Sequence, residues 1–197
     1  MQTNKLRITQ SLLSAWEYSF KTDEGYEDFL KALSREKKQP TKAMLDGIRF
    51  ENVLNQVLKG VEIPEDHEWY PVITEMAAEL DGAQQQVTLF REVDVDGQTF
   101  LLHGVLDYLP EGHIWDCKFS KHYHLNKYLD SDQHPMYLTL VPEAFDFTYI
   151  VSDGKYVYRE RYPSDIVKPI EPTIKHFMEY LKKYNNLWNI YTEKWSV

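Results

Sequence analysis

The chain has one cysteine, Cys117, among 197 residues. No intramolecular disulfide can form, and a Cys-rich zinc or iron–sulfur site is excluded. Long apolar runs are also missing: nothing is long enough to span a bilayer. Residues 1–16 mix Gln, Asn, Lys and Arg with isolated apolar side chains and carry no signal-peptide core. These absences predict a soluble, cytoplasmic protein in a reducing compartment, with no membrane partner. Positive charge is scarce too. With 22 Lys+Arg against 31 Asp+Glu the formal charge is -9, which argues against a simple non-specific binder of nucleic acid or anionic membrane. The deficit is local, however. Residues 61–90 contain no Lys or Arg and seven acids, and the rest of the chain is close to neutral.

What is present is ordinary for one globular domain: 43% hydrophobic and 27% charged residues, with no repeat, low-complexity tract or linker. Spacing predicts three helices in the first sixty residues: 11–20, a segment carrying Tyr26, Phe29, Leu30 and Leu33, and 42–59. Thr41 is placed to cap the third, Gly60 to stop it, and Met44, Ile48, Leu54 and Leu58 are expected on its apolar side. A short helix is expected over 72–80. The period then changes to that of strands at 87–95, 98–109 and 113–119, separated by Asp96-Gly97 and Glu111-Gly112, a two-hairpin meander. A helix after Asp132, a hairpin split by Asp153-Gly154, and one long amphipathic helix from Pro172 to about Tyr191 complete the reading. The fold class expected is α/β, a single domain over 1–197 with a central mixed sheet flanked by helices.

Two segments carry chemistry: Gly104-Val105-Leu106-Asp107 and Ile114-Trp115-Asp116-Cys117-Lys118. If Glu111-Gly112 is a two-residue turn, counting back along both strands puts Asp107 opposite Asp116. Alternation puts Asp116 and Lys118 on one face and Cys117 on the other, in the core. Two facing carboxylates repel unless something positive lies between them. A divalent cation with oxygen ligands answers that need, and magnesium is commonly held by one or two carboxylates while acting on phosphates. Lys118 would orient or deprotonate the attacking water, or offset charge developing at phosphorus. Glu51, on the apolar side of the third helix, supplies another carboxylate.

These residues resemble the PD-(D/E)XK nuclease superfamily, in its RecB-like and phage-exonuclease-like branch. Gly47-Ile48-Arg49-Phe50-Glu51 looks like the first motif, Gly104 to Asp107 the second, Asp116-Cys117-Lys118 the D-x-K motif, and Gln133 with Tyr137 the QxxxY motif. The resemblance implies a restriction-endonuclease-like core and a deoxyribonuclease, preferably an exonuclease acting at DNA ends in recombination or repair, in a bacterial or phage setting. It implies Mg2+ or Mn2+ at Asp107, Asp116 and Glu51, with the Cys117 carbonyl as a further ligand, Lys118 as catalytic lysine, and Gln133 and Tyr137 lining the site near substrate or supporting Lys118. Relatives include ring-shaped homo-oligomers and partners of recombination proteins. The contrasting reading is a catalytically silent module on the same fold that binds DNA ends or a protein.

The stretch 118–128 contains Lys121 and Lys127, no acid, and interleaved Phe119, Tyr123 and Tyr128. That composition suits phosphate contact and base stacking, with Lys121 and Tyr123 as substrate-binding candidates. His113, His122, His124 and His134 fit no closed zinc pattern and read as scattered surface residues.

Overall fold

The computed structural model of the chain describes residues 5–197. It opens with a strand that helical spacing does not foretell. In β1 (Leu6–Thr9) only Leu6 and Ile8 are buried, too short a run for period-2 alternation to declare itself. Thr9 then caps α1 (Gln10–Tyr18) by accepting a hydrogen bond from Leu12 N. Thr22 caps α2 (Asp23–Leu33) and Thr41 caps α3 (Lys42–Leu58) in the same way. Gly60 ends α3 in the left-handed conformation, φ 83°. After α4 (Tyr70–Glu79) come β2 (Gln84–Val95), β3 (Gln98–Leu109) and β4 (His113–Phe119). Asp96 and Gly97 both have positive φ, as a two-residue type I′ hairpin requires.

α5 (Gln133–Leu140), β5 (Asp146–Ser152) and β6 (Val157–Pro163) follow. The C-terminal segment is two helices, α6 (Glu171–Lys183) and α7 (Asn185–Trp195), where the apolar spacing predicts one. Tyr184 is extended between them, at φ -124° and ψ 99°, and two asparagines of low helix propensity follow it. The break turns α7 back onto the first elements: Tyr191 donates to Arg7 O at 2.9 Å and Trp195 to Leu33 O at 2.8 Å. Among the described residues no helix is long and apolar enough to cross a membrane.

The six strands form one mixed sheet in the order β1-β3-β4-β5-β6, with β2 also on β3. β1 runs parallel to β3 and β4 parallel to β5; the other pairs are antiparallel. β2 occupies one edge of β3 along its length, so the other edge is shared. There β1 pairs with 100–103 and β4 pairs at Tyr108↔Trp115. Residues 104–107 lie in the gap between these two partners, and that gap holds the candidate site.

Helices cover both faces. One core joins the sheet to α1, α2, α5, α6 and α7 through Leu13, Phe29, Phe100, Tyr149 and Phe177; the other joins it to α3 and α4 through Phe50, Leu54, Ile73, Met76 and Tyr108. The first half of α3 departs from expectation. Met44 and Ile48 are each 50% exposed, and the core residues are Phe50 and Leu54. The helix starts beyond the sheet, against the β4–α5 connection, and only its later turns lie over strands.

Candidate functional site

The register read from the hairpin holds in part of the sheet. Tyr108 pairs with Trp115, which sets Asp107 across from Asp116 one step further along. Cys117 N donates to Asp107 Oδ2 at 3.2 Å, tying the two strands at that step. The Lys118 ammonium lies 2.6 Å from Asp116 Oδ2 as an ion pair, with no well-directed hydrogen bond to that oxygen. Asp116 is 4% exposed. The Cys117 side chain points the other way, into the core with Phe50, Leu54 and Tyr108.

α5 holds this pair from beneath. Gln133 donates through Nε2 to Asp116 Oδ1, and Tyr137 donates to Val105 O at 3.0 Å. Both are buried, so they act below the carboxylates and not at an open substrate surface. Of the two side chains that the sequence offers as caps for α5, Ser131 and Asp132, it is Ser131 whose Oγ accepts from Gln133 N, at 3.2 Å; Asp132 makes no capping bond. Gly104 lets Tyr137 approach. A Cβ there would come within 2.5 Å of the Tyr137 ring and 2.6 Å of Leu140. Gly104 has no left-handed φ, so Gly104→Ala gains about 0.4–1 kcal/mol from the unfolded chain, against about 1–3 kcal/mol for overpacking. Net destabilisation is expected, and urea unfolding of the variant checks it.

Glu51 reaches the site from α3, which places it on the same stripe as Met44, Ile48 and Asn55. Its contact with the strand carboxylates passes through Gln86, a residue absent from the motif reading. Gln86 Nε2 lies 3.3 Å from Glu51 Oε1 and 3.5 Å from Asp107 Oδ1. Gln86 sits in β2 with φ 53°, a costly backbone for a residue with a Cβ. The pleat changes phase here. Leu106 and Tyr108 are two apart on β3 yet pack in opposite cores; on the neighbouring strand Val87 packs in the first core, while Ala83, just before β2, packs in the second. Asp107 sits at that switch, between Cys117 N and Gln86. Gln86 belongs to the acidic segment in which no site residue was expected, and three consecutive glutamines gave no motif to find it by.

The electrostatics are those of a site short of positive charge. Burial, with the neighbouring Asp116 charge, pushes the Asp107 carboxyl up to about 8. Burial and Asp116 also raise Glu51. For Lys118, burial opposes the charge, but Asp116 and Asp107 outweigh it and keep the ammonium protonated well above the ordinary lysine range. One lysine cannot offset three carboxylates. Among the described residues no three His, Cys, Asp or Glu side chains gather closely enough to enclose a metal ion. Magnesium does not require that, since one or two carboxylates suffice when water and phosphate oxygens complete the sphere. The hard oxygen donors of Asp107 and Asp116, whose crowded negative charge Lys118 alone offsets, fit such an ion.

The remaining candidates are dispersed. Lys121 pairs with Asp46 on α3 at 2.7 Å. Tyr123 is turned toward β6, donating to Glu160 Oε1 at 2.7 Å and stacking on Tyr158. His134, expected at the surface, is buried against Tyr162, and burial pushes it down to about 4. His113 bonds to Asp146, so these histidines form no shared centre.

No protein-family model matches the chain, and no curated protein does. Among solved structures, the crystal structure of SSO0001 is similar with a TM-score of 0.55 and 15% identity, over 91% of this chain and 79% of that one. S. pombe Rai1 in complex with 3'-FADP gives a TM-score of 0.41 and 13% identity, over 93% of this chain and 65% of that one. The likeness to SSO0001 is one of fold: a mixed sheet flanked by helices.

Proposed function

We propose that the chain is a metal-dependent deoxyribonuclease acting at DNA ends, on the restriction-endonuclease-like core implied by its resemblance to PD-(D/E)XK nucleases. The observation that carries this reading is the rung on which Asp107 and Asp116 face each other, with Lys118 ion-paired to Asp116 at 2.6 Å. Facing carboxylates in a buried site are costly, and a divalent cation with a phosphodiester is the ligand pair that repays them. Asp107 and Asp116 would hold the ion, with Glu51 at its edge. When bound, Mg2+ or Mn2+ offsets carboxylate charge and polarises the phosphoryl group. Gln133 fixes the orientation of Asp116 through Oδ1. Lys118, kept protonated, acts as a cation against charge developing at phosphorus and not as the base. Water attacks phosphorus, the bond to the 3' oxygen breaks, and the products are a 5'-phosphate and a 3'-hydroxyl.

The test is incubation of linear and circular duplex DNA with Mg2+ or Mn2+, beside Asp116→Asn. Linear DNA is expected to shorten, chelation to stop it, and the variant to lose at least about 100-fold in rate. Metal-independent, equal behaviour of wild type and variant removes the nuclease reading. Circular DNA nicked as fast as linear DNA shortens removes the action at ends.

A further inference from the structure

Among the described residues a cationic groove lies beside these carboxylates. It lies between the start of α3 and the β4–α5 connection, with a volume of about 510 Å3, and Lys42, Lys121 and Lys127 line it against a single acid, Asp46. Its aromatic wall is Phe119 and Tyr128, each stacked on a fully buried inner ring: Phe119 on Phe50 at 4.8 Å, Tyr128 on Tyr149 at 4.5 Å. Tyr149 in turn lies 6.0 Å from Lys118 Nζ, so the groove adjoins the lysine of the candidate site. Lys127 is already positioned, its ammonium bonded to Ser120 Oγ at 2.6 Å and His122 O at 3.3 Å, leaving one of three donors. Lys121 is held across the groove by Asp46 at 2.7 Å.

We infer that this groove binds single-stranded DNA next to the reacting phosphodiester, and that Asp46 competes with the DNA phosphates for Lys121. The inference rests on the nuclease reading for its position but not for its binding chemistry. Three lysines on an otherwise acidic protein supply charge complementarity for a polyanion. Phenyl and phenol rings beside them supply the base-stacking surface that sequence-tolerant single-strand binders use. Leu125, 75% exposed, and Leu129, 55% exposed, lie on the same connection and add apolar contact for unstacked bases. A groove of this volume, bridged by the Lys121–Asp46 pair, suits an unpaired strand better than a duplex. Single-strand binding beside the carboxylates also suits an enzyme that works at frayed ends.

The experiment is fluorescence anisotropy with a labelled oligothymidylate of about 12 nucleotides and a duplex of the same length, in chelator so that nothing is cut. Wild type is expected to favour the single strand, with a log–log salt slope near -2, about -0.7 for each of three lysine–phosphate contacts. Lys42→Glu and Lys121→Glu are each expected to weaken binding about tenfold and flatten the slope by about 0.7 or more, whereas the same charge change at Lys194 leaves binding within about twofold. Asp46→Asn is expected to tighten binding, because it releases Lys121. Thermal unfolding shows that each variant is folded. Preference for duplex, or equal affinity of wild type and both lysine variants, overturns the inference. No gain from Asp46→Asn overturns the competition. If the lysine variants bind and cut as wild type does, the groove fails and the nuclease reading stands. If wild type binds the single strand as described and nothing is cut with Mn2+, the nuclease reading fails and the groove stands.

Discussion

Lys118→Met is expected to lower the cleavage rate constant by about 100- to 1,000-fold with little change in KM for DNA. The ammonium sits on Asp116 Oδ2, at the edge of the carboxylate rung, with 31% of its side chain exposed. Removing one charge aimed at a transition-state oxyanion costs about that much. Because the two aspartates keep Lys118 protonated well above the ordinary range, the wild-type pH–rate profile should show no rise assignable to lysine deprotonation. A limb that disappears in Lys118→Met would instead make the lysine a general base. Asp116→Asn and the double variant should be far from additive, since lysine and aspartate act as one unit. Full additivity would separate them and sink the pairing. The substitution also leaves Asp116 buried without its cation, so unfolding midpoints must accompany the kinetics.

Much of this arrangement was legible in local chemistry. Thr41 and Gly60 bound α3 because an oxygen acceptor and a left-handed glycine satisfy orphan helix groups. The Asp107–Asp116 rung followed from a turn and a period of two, both short-range facts. What escaped depends on long-range packing. β1 is four residues and is a strand only because β3 pairs with it. The apolar side of α3 was misplaced because periodicity gives a stripe but not how far a helix overhangs the sheet. Spacing predicts one helix where α6 and α7 are two, because Leu181, Tyr184, Trp188 and Tyr191 keep helical spacing across the extended Tyr184. Gln86 was invisible for a different reason. Its role comes from a pleat phase change shared by two strands, and a glutamine beside two others carries no sign of it.

The same carboxylates set how stability depends on pH. In the unfolded chain Asp107 titrates near 3.8, but in the folded protein burial and Asp116 push it up to about 8. Between those values the folded protein holds a proton that the unfolded chain has released. The contribution of Asp107 to stability is therefore full below about pH 4, falls as pH rises toward about 8, and is gone beyond. Glu17 on α1 contributes in the same direction, raised to about 8 by burial and by the Asp132 carboxylate beside it. The two sites are separable. Mg2+ or Mn2+ binds only deprotonated carboxylates, so it should raise the unfolding midpoint at pH 8 and do little at pH 5. Asp107→Asn should remove the metal-sensitive part of the decline, and Glu17→Gln the part that metal does not restore. Unfolding midpoints measured from pH 4 to pH 9, with chelator and with metal, decide this. A flat profile in chelator would mean that Asp107 is ionised throughout. An equal gain from metal at pH 5 and pH 8, or in Asp107→Asn, would place the ion elsewhere.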